Sequence, residues 1–204
     1  MAQSIGNLIG KEREFYAKPF SALNLIGRTV KEKAFEECDF KDCNFTDMIF
    51  HKCKFVDCGF TDCNLSTVKV PDSRFLNVSF NQCKVIGVDW TKAAWPRFPQ
   101  FPQLQFRKCI LNDSSFFGLH LEQIVLEECK AHEVDFREGN FSRGNFSHAD
   151  LTHSLFGRTC LTEADFTEAV NYDIDVRDNE VCQCKFSRYE AVRLLCGYDI
   201  EVID

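Results

Sequence analysis

The groups in this chain that could do chemistry are twelve cysteines, five histidines and 31 acidic residues among 204 positions. Zinc sites favour two cysteines separated by two to four residues, so that their thiolates converge on one metal. Here Cys38, Cys43, Cys53, Cys58, Cys63, Cys83, Cys109, Cys129 and Cys184 recur mainly at intervals of five, and Cys182-x-Cys184 is an isolated pair. Free cysteine also behaves as a small, readily buried hydrophobe, and packing is the reading expected for this set. Cys43, Cys63 and Cys83 lie twenty apart and are expected to stack at a distance that permits a disulfide, but a reducing compartment argues against one. His51, His120, His132, His148 and His153 have no serine or cysteine partner in the pattern. No phosphate loop, zinc motif or nucleophile elbow is present. No catalytic residue, metal or cofactor is therefore expected, and carboxylates repeated in a row do not make an acid–base pair.

The cysteines belong to a repeat. From Phe35 the chain reads FEECD FKDCN FTDMI FHKCK FVDCG FTDCN L, with Phe35, Phe40, Phe45, Phe50, Phe55, Phe60 and Leu65 five apart. Calling the large apolar residue i, the small apolar position i−2 carries Cys38, Cys43, Met48, Cys53, Cys58 and Cys63. A period of five belongs neither to a helix nor to a strand. It requires i and i−2 to face one interior while i−1, i+1 and i+2 face water. A chain that turns a corner every five residues satisfies this, and four corners close a square coil of about twenty residues. About eight coils stacked at the strand spacing of about 4.8 Å give an all-β solenoid roughly 40 Å long.

Composition agrees. Eighteen of the 21 phenylalanines lie in register, all but Phe98, Phe101 and Phe117, and each is worth roughly 1.5–3 kcal/mol when buried. The formal charge of −7 disfavours direct nucleic-acid binding, which needs Lys and Arg, and suits a basic partner. The N-terminus lacks the apolar core of a signal peptide, and no stretch approaches a membrane span; a cytoplasmic location is expected. Residues 1–14 read as an irregular cap. Phe15, Phe20, Leu25 and Val30 are in register, but with Lys18, Arg28 and Lys33 at i−2, so 15–30 reads as a weak first coil.

The first register runs to Trp90 and stops. Residues 91–104 include Pro96, Pro99 and Pro102, which cannot donate to a ladder. When the pattern resumes at Phe106 it has moved by one residue, so an insertion loops out from the side. Trp95, Arg97, Phe98 and Phe101 in this loop are candidate partner contacts; alternatively Trp95 and Phe98 fold back over a face, or the prolines form an SH3-type ligand. The second register passes through Leu111, Phe116, Leu121, Leu126, Ala131, Phe136, Phe141, Phe146, Leu151, Phe156, Leu161 and Phe166. It continues to Val176, Val181 and Phe186, with Asn171 as a fault. Its i−2 column carries smaller residues, such as Gly139, Gly144, Ala149 and Ala164, which suggests tighter coils.

Acids concentrate at i+2. Stacking is expected to line several along the axis, and Asp57, Asp62, Asp72, Glu128, Glu133 and Glu138 are the candidate acidic partner-binding surface. After Phe186 the period changes. Tyr189, Val192, Leu195 and Cys196 lie at helical spacing with Gly197 as a stop, and Tyr198, Ile200, Val202 and Ile203 form an extended apolar tail. This segment is either a monomeric cap or a two-fold contact with another chain. Tyr189, Val192, Leu195, Tyr198, Ile200 and Val202 are the candidate dimer interface.

The repeat resembles the pentapeptide-repeat family, A(D/N)LXX in general form, over roughly residues 30–186. That resemblance implies a right-handed quadrilateral β-helix, here with a short C-terminal helix: a cap over 1–14, the solenoid over 15–186 and a dimerising segment over 187–204. Tyr189-x-Ala191-x-x-Leu194-Leu195 with Ile200-x-Val202-Ile203 is similar to the C-terminus of the quinolone-resistance (Qnr) branch, and Val30 to Phe40 to its start. Membership of that branch implies a cytoplasmic homodimer, an acidic rod resembling B-form DNA, and binding to DNA gyrase or topoisomerase IV. A scaffold with an unrelated partner is the alternative.

Overall fold

A computed structural model describes residues 10–96, 102–195, Tyr198 and Ile203. The chain winds into a parallel β-solenoid of about 8 turns with almost no helix. Each turn has four faces, named here after their first core residue. The Phe15 face stacks Glu14–Tyr16, Ala34–Glu36, Lys54–Val56 and Arg74–Leu76, all parallel. The Phe20 face carries a six-stranded sheet from Pro19–Ser21 to Val125–Glu127. The Leu25 and Val30 faces are held largely by single bridges, such as Asn44↔Asn64 and Ser115↔Asp135. Phe60 pairs Phe80, twenty residues on, and the same ladder then joins Phe80 to Phe106, 26 on. The six extra residues, one full pentad plus one, account for the displaced register.

The core follows from the repeat. Phe35, Phe45 and Phe55 are completely buried, and Phe40 and Phe60 nearly so. Rings on one face lie offset-stacked at the coil spacing: Phe20–Phe40 at 4.9 Å, Phe40–Phe60 at 4.6 Å and Phe60–Phe80 at 4.9 Å. Rings on adjacent faces meet edge to face, as Phe15 and Phe20 do at 5.6 Å and 76°. Both are the arrangements the aromatic quadrupole favours.

The i−2 cysteines do more than fill space. Cys43 N–H donates to Cys63 Sγ, Cys63 N–H to Cys83 Sγ, Cys83 N–H to Cys109 Sγ and Cys109 N–H to Cys129 Sγ, each at 3.4 Å. The Cys63 thiol in turn donates to the Phe40 carbonyl at 3.4 Å. Ser73 does the same work with its hydroxyl, accepting from Cys53 N–H and donating to the Phe50 carbonyl. The corner leaves inward backbone groups that a strand ladder does not satisfy, and a small side chain that both donates and accepts closes the account. The eleven cysteines described are all free. The thiol of Cys109 and burial push Cys83 up to about 12, and the thiol of Cys129 likewise holds Cys109 there.

The small i−2 residues of the second half have a steric cause. A Cβ on Gly139 would lie 2.4 Å from the Phe141 ring, and one on Gly144 would lie 2.8 Å from the Phe141 carbonyl.

The ends differ from expectation in instructive ways. Residues 15–30 form a full coil, with Phe15, Phe20, Leu25 and Val30 buried. Lys33 is tolerated at i−2 because the open end of the core lies above it: its Nζ donates to the Gly10 carbonyl at 2.7 Å and to that of Glu12. At the other end Val176 is not a core residue. Asn171 adopts a positive φ of 59°, and Tyr172 and Ile174 are fully buried instead. Val181 and Phe186 are half-buried against the core. The terminal helix is a 3-10 segment, Glu190–Leu195; Cys196 and Gly197 lie outside the described residues. At three residues per turn, Tyr189, Val192 and Leu195 fall on one line facing solvent, while Leu194 packs inward. Arg193 fixes this segment by donating to the Tyr172 carbonyl (3.0 Å) and to Asp173 (2.8 Å), and Glu190 accepts from Asn171 N–H.

Candidate partner-binding surface

Corners decide where the acids stand. Nearly every i+2 residue adopts the left-handed conformation, including Asp57 (φ 50°), Asp62 (54°), Asp72 (55°), Glu128 (53°), Glu133 (57°) and Glu138 (59°). Asp and Asn tolerate this region better than most residues, so part of the acidic bias at i+2 is a backbone requirement. The conformation also turns the side chain out from the corner.

The six candidate acids occupy all four corners and do not form one row. Asp57 stacks between Glu37 and Asn77, whose amide donates to Asp57 Oδ1 at 2.7 Å. Asp62 stacks between Asp42 and Gln82. Asp72 has His51 Nε2 at 3.9 Å, Glu128 has Lys108 Nζ at 3.7 Å, and Glu138 pairs with Arg158. Glu133 lies between Asp113 and His153 along the axis. Continuous acidic rows are thus replaced by runs of two, broken by neutral or basic residues one coil away. A cluster of carboxylates flanks the Phe20 face in its second and third coils. Glu37 and Asp57 line one corner, Asp42 and Asp62 the next, and exposed Asp39 and Lys41 stand between them.

Of the loop contacts, Trp95 is placed; Arg97, Phe98 and Phe101 lie outside the described residues. Trp95 keeps the first register one step beyond Trp90. Ala94 N–H donates to the Ser73 carbonyl at 2.8 Å, as Arg74 N–H does to Cys53 one coil below. The Trp95 indole donates to the Trp90 carbonyl at 2.9 Å and its ring lies 6.1 Å from Phe75. Trp95 therefore covers the core on the Phe15 face.

Among the terminal residues, Tyr189 is 87% exposed, Val192 49% and Leu195 37%. Tyr198 has the Arg177 guanidinium over its ring at 5.2 Å. Ile200 and Val202 lie outside the described residues.

His132 Nε2 lies 2.8 Å from Asp150 Oδ2. Partial burial alone would raise the Asp150 pKa, but hydrogen bonds from Asn171, Thr152 and His132 hold it well below the usual carboxylate range. The pair is a structural tie between the Leu25 face and the terminal coil, since Asn171 sits beside Glu190. Among the described residues no group of three His, Cys, Asp or Glu side chains could hold a metal ion, and no helix is long and apolar enough to cross a membrane.

A family model described as a pentapeptide repeat region matches residues 33–98 and 99–166. Among curated proteins none matches the sequence. Among solved structures, two trypsin-treated variants of QnrB1, described as a plasmid-mediated fluoroquinolone resistance protein, superpose with TM-scores of 0.69. One is 20% identical, covering 95% of this chain and 100% of that chain; the other is 21% identical, covering 94% and 98%. Full-length QnrB1 gives 0.60 at 19% identity, covering 89% of this chain and 100% of that chain. At these identities the likeness is one of fold.

Proposed function

This chain belongs to the pentapeptide-repeat family, and on that premise we propose that it is a Qnr-type DNA mimic: a non-enzymatic protein that binds a type II topoisomerase, DNA gyrase or topoisomerase IV, and modulates it or protects it from a quinolone or toxin. The observation that carries the reading is the pairing of two features on one rod. One is the negative patch of Glu37, Asp39, Asp42, Asp57 and Asp62, which presents carboxylates at about the coil spacing of 4.8 Å. The other is the terminal stripe of Tyr189, Val192 and Leu195, whose exposure suits a two-fold contact between identical ends. A basic DNA-binding saddle would take the patch by charge complementarity, which governs encounter rate more than final affinity. A homodimer in the cytoplasm is the state in which the rod is expected to act, and the fold likeness to a fluoroquinolone resistance protein supports the same assignment.

The experiment is a gyrase supercoiling assay with and without a fluoroquinolone, alongside binding to gyrase and topoisomerase IV at low salt. Restored supercoiling in the presence of drug supports protection, and inhibition without drug supports modulation. Absence of binding to both enzymes overturns the mimic reading and leaves a scaffold with an unrelated partner. That second reading is favoured by the ion pairs Arg107–Glu127, Lys108–Glu128, Arg158–Glu138 and Lys185–Asp165, which offset negative charge along the later coils.

A further inference from the structure

The Phe15 face carries two exposed cations stacked in consecutive coils. Lys54 and Arg74 occupy the same outward position in consecutive coils and are direct ladder partners, so their head groups emerge one coil spacing apart, about 4.8 Å. Ala34 is the ladder partner of Lys54 on the other side. Among the described residues neither head group makes an ion pair or a hydrogen bond. On later coils several cations are matched: Arg107 to Glu127, Lys108 to Glu128, Arg143 to Glu122, Arg158 to Glu138 and Lys185 to Asp165.

Beside these two cations lies a cavity of ≈ 340 Å³, lined by Phe75, Leu76, Ala94, Trp95 and Pro96 as well as by Lys54, Arg74 and Gln103. Its aromatic wall is fixed, because Trp95 is tied to the Trp90 carbonyl and tilted 33° against Phe75. The volume falls in the range of about 300–1,000 Å³ typical of small-molecule sites. We propose that this groove binds a small aromatic monocarboxylate, its ring against Trp95 and Leu76 and its carboxylate between Lys54 and Arg74.

Three physical arguments select that ligand class. A planar guanidinium beside an ammonium matches a carboxylate, and charge-assisted hydrogen bonds of this kind are about twice as strong as neutral ones. The apolar wall offers stacking to a flat ring, which an inorganic anion would not use. The groove is two coils tall, about 10 Å, and the foot of the loop bounds it. An extended peptide at about 3.3 Å per residue would place only about three residues there, so an isolated small acid fits better than an acidic segment.

The test is calorimetric titration of the whole protein with 2-naphthoate and with 2-naphthamide, which has the same rings and no charge. Naphthoate is expected to bind saturably with a Kd below about 1 mM, and at least tenfold more tightly than the amide. Lys54→Gln combined with Arg74→Gln should weaken naphthoate at least tenfold and leave the amide and the thermal midpoint unchanged, because both side chains stand on the surface. Trp95→Ala should weaken both ligands; because Trp95 also covers the core, the charge variant carries the decision. Equal affinity for acid and amide, indifference to the double substitution, or no saturation up to 10 mM would each overturn the proposal. Tighter competition by a Glu- and Trp-containing peptide would also overturn it, assigning the groove to a protein partner. No topoisomerase enters the assay, so its failure would leave the proposed function untouched.

Discussion

Phe60 is the sharpest probe of the solenoid core. Its ring is 2% exposed and is stacked between Phe40 at 4.6 Å and Phe80 at 4.9 Å, with Phe45 edge-on at 6.3 Å. Phe60→Ala removes the transfer free energy of one buried ring, roughly 1.5–3 kcal/mol, and leaves a cavity that the rigid ladder on both sides resists closing. Large-to-small changes of this kind cost about 3–5 kcal/mol. Losing two stacked partners, each worth about 0.5–1.5 kcal/mol, places the expectation at the upper end. Phe117→Ala is the matched control, since Phe117 is 41% exposed beneath the Arg137 guanidinium and its removal should cost under about 1 kcal/mol. Urea unfolding followed by circular dichroism measures both. Because each coil contacts only its neighbours, Phe60→Ala should also lower the apparent cooperativity by splitting the stack at its third coil. A loss below about 1 kcal/mol for Phe60→Ala, or equal losses for the two variants, would refute the stacked-column account of stability.

Other perturbations bear on separate parts of the structure. Phe55→Asp and Phe141→Asp should each prevent folding, because an unpaired charge enters a closed interior; soluble, cooperatively melting protein from either would contradict the register. Thiol titration of the native protein should modify exposed Cys182 first and leave the buried i−2 cysteines untouched, with at least nine thiols reacting in denaturant. The depressed Asp150 pKa makes a stabilising contribution that is complete above the ordinary carboxylate range and is lost as pH falls below about 4. Asp150→Asn should therefore show a flatter stability profile on acidification, read from thermal midpoints across that range. Leu195→Arg, or removal of residues 187–204, should give a monomer in sedimentation if the terminal stripe joins two chains. On the proposed function, neutralising Asp57, Asp62, Glu133 and Glu138 together should slow association with a type II topoisomerase and reduce its salt dependence, with little change in melting temperature.

Most of the fold was legible because the repeat leaves little choice. Phe at every fifth position and a small residue two places before it specify an inward pair, and only a square coil satisfies that pair. Where neighbours from another coil intervene, the pattern misleads. Val176 satisfies the period, yet the left-handed turn at Asn171 hands its place to Tyr172 and Ile174. Trp95 looks like a loop residue among prolines, yet one inherited hydrogen bond from Ala94 keeps it against Phe75. Lys33 breaks the apolar rule at i−2, yet carbonyls of Gly10 and Glu12 receive it.

The candidate surface was less legible than the core, for a related reason. The sequence by itself determined which residues point outward, because a period of five assigns inside and outside without knowledge of any neighbour. It also determined the coil count and the site of the insertion. Only the tertiary structure decided which outward residues become neighbours, because that depends on what stands twenty or 26 positions away. The same i+2 rule that places Asp57 above Glu37 places Glu128 above Lys108 and Glu138 below Arg158. Charge on a solenoid surface is therefore set by pairs distant in sequence, and the negative patch at Asp42 and Asp62 and the basic groove at Lys54 and Arg74 come into being only when the coils are stacked.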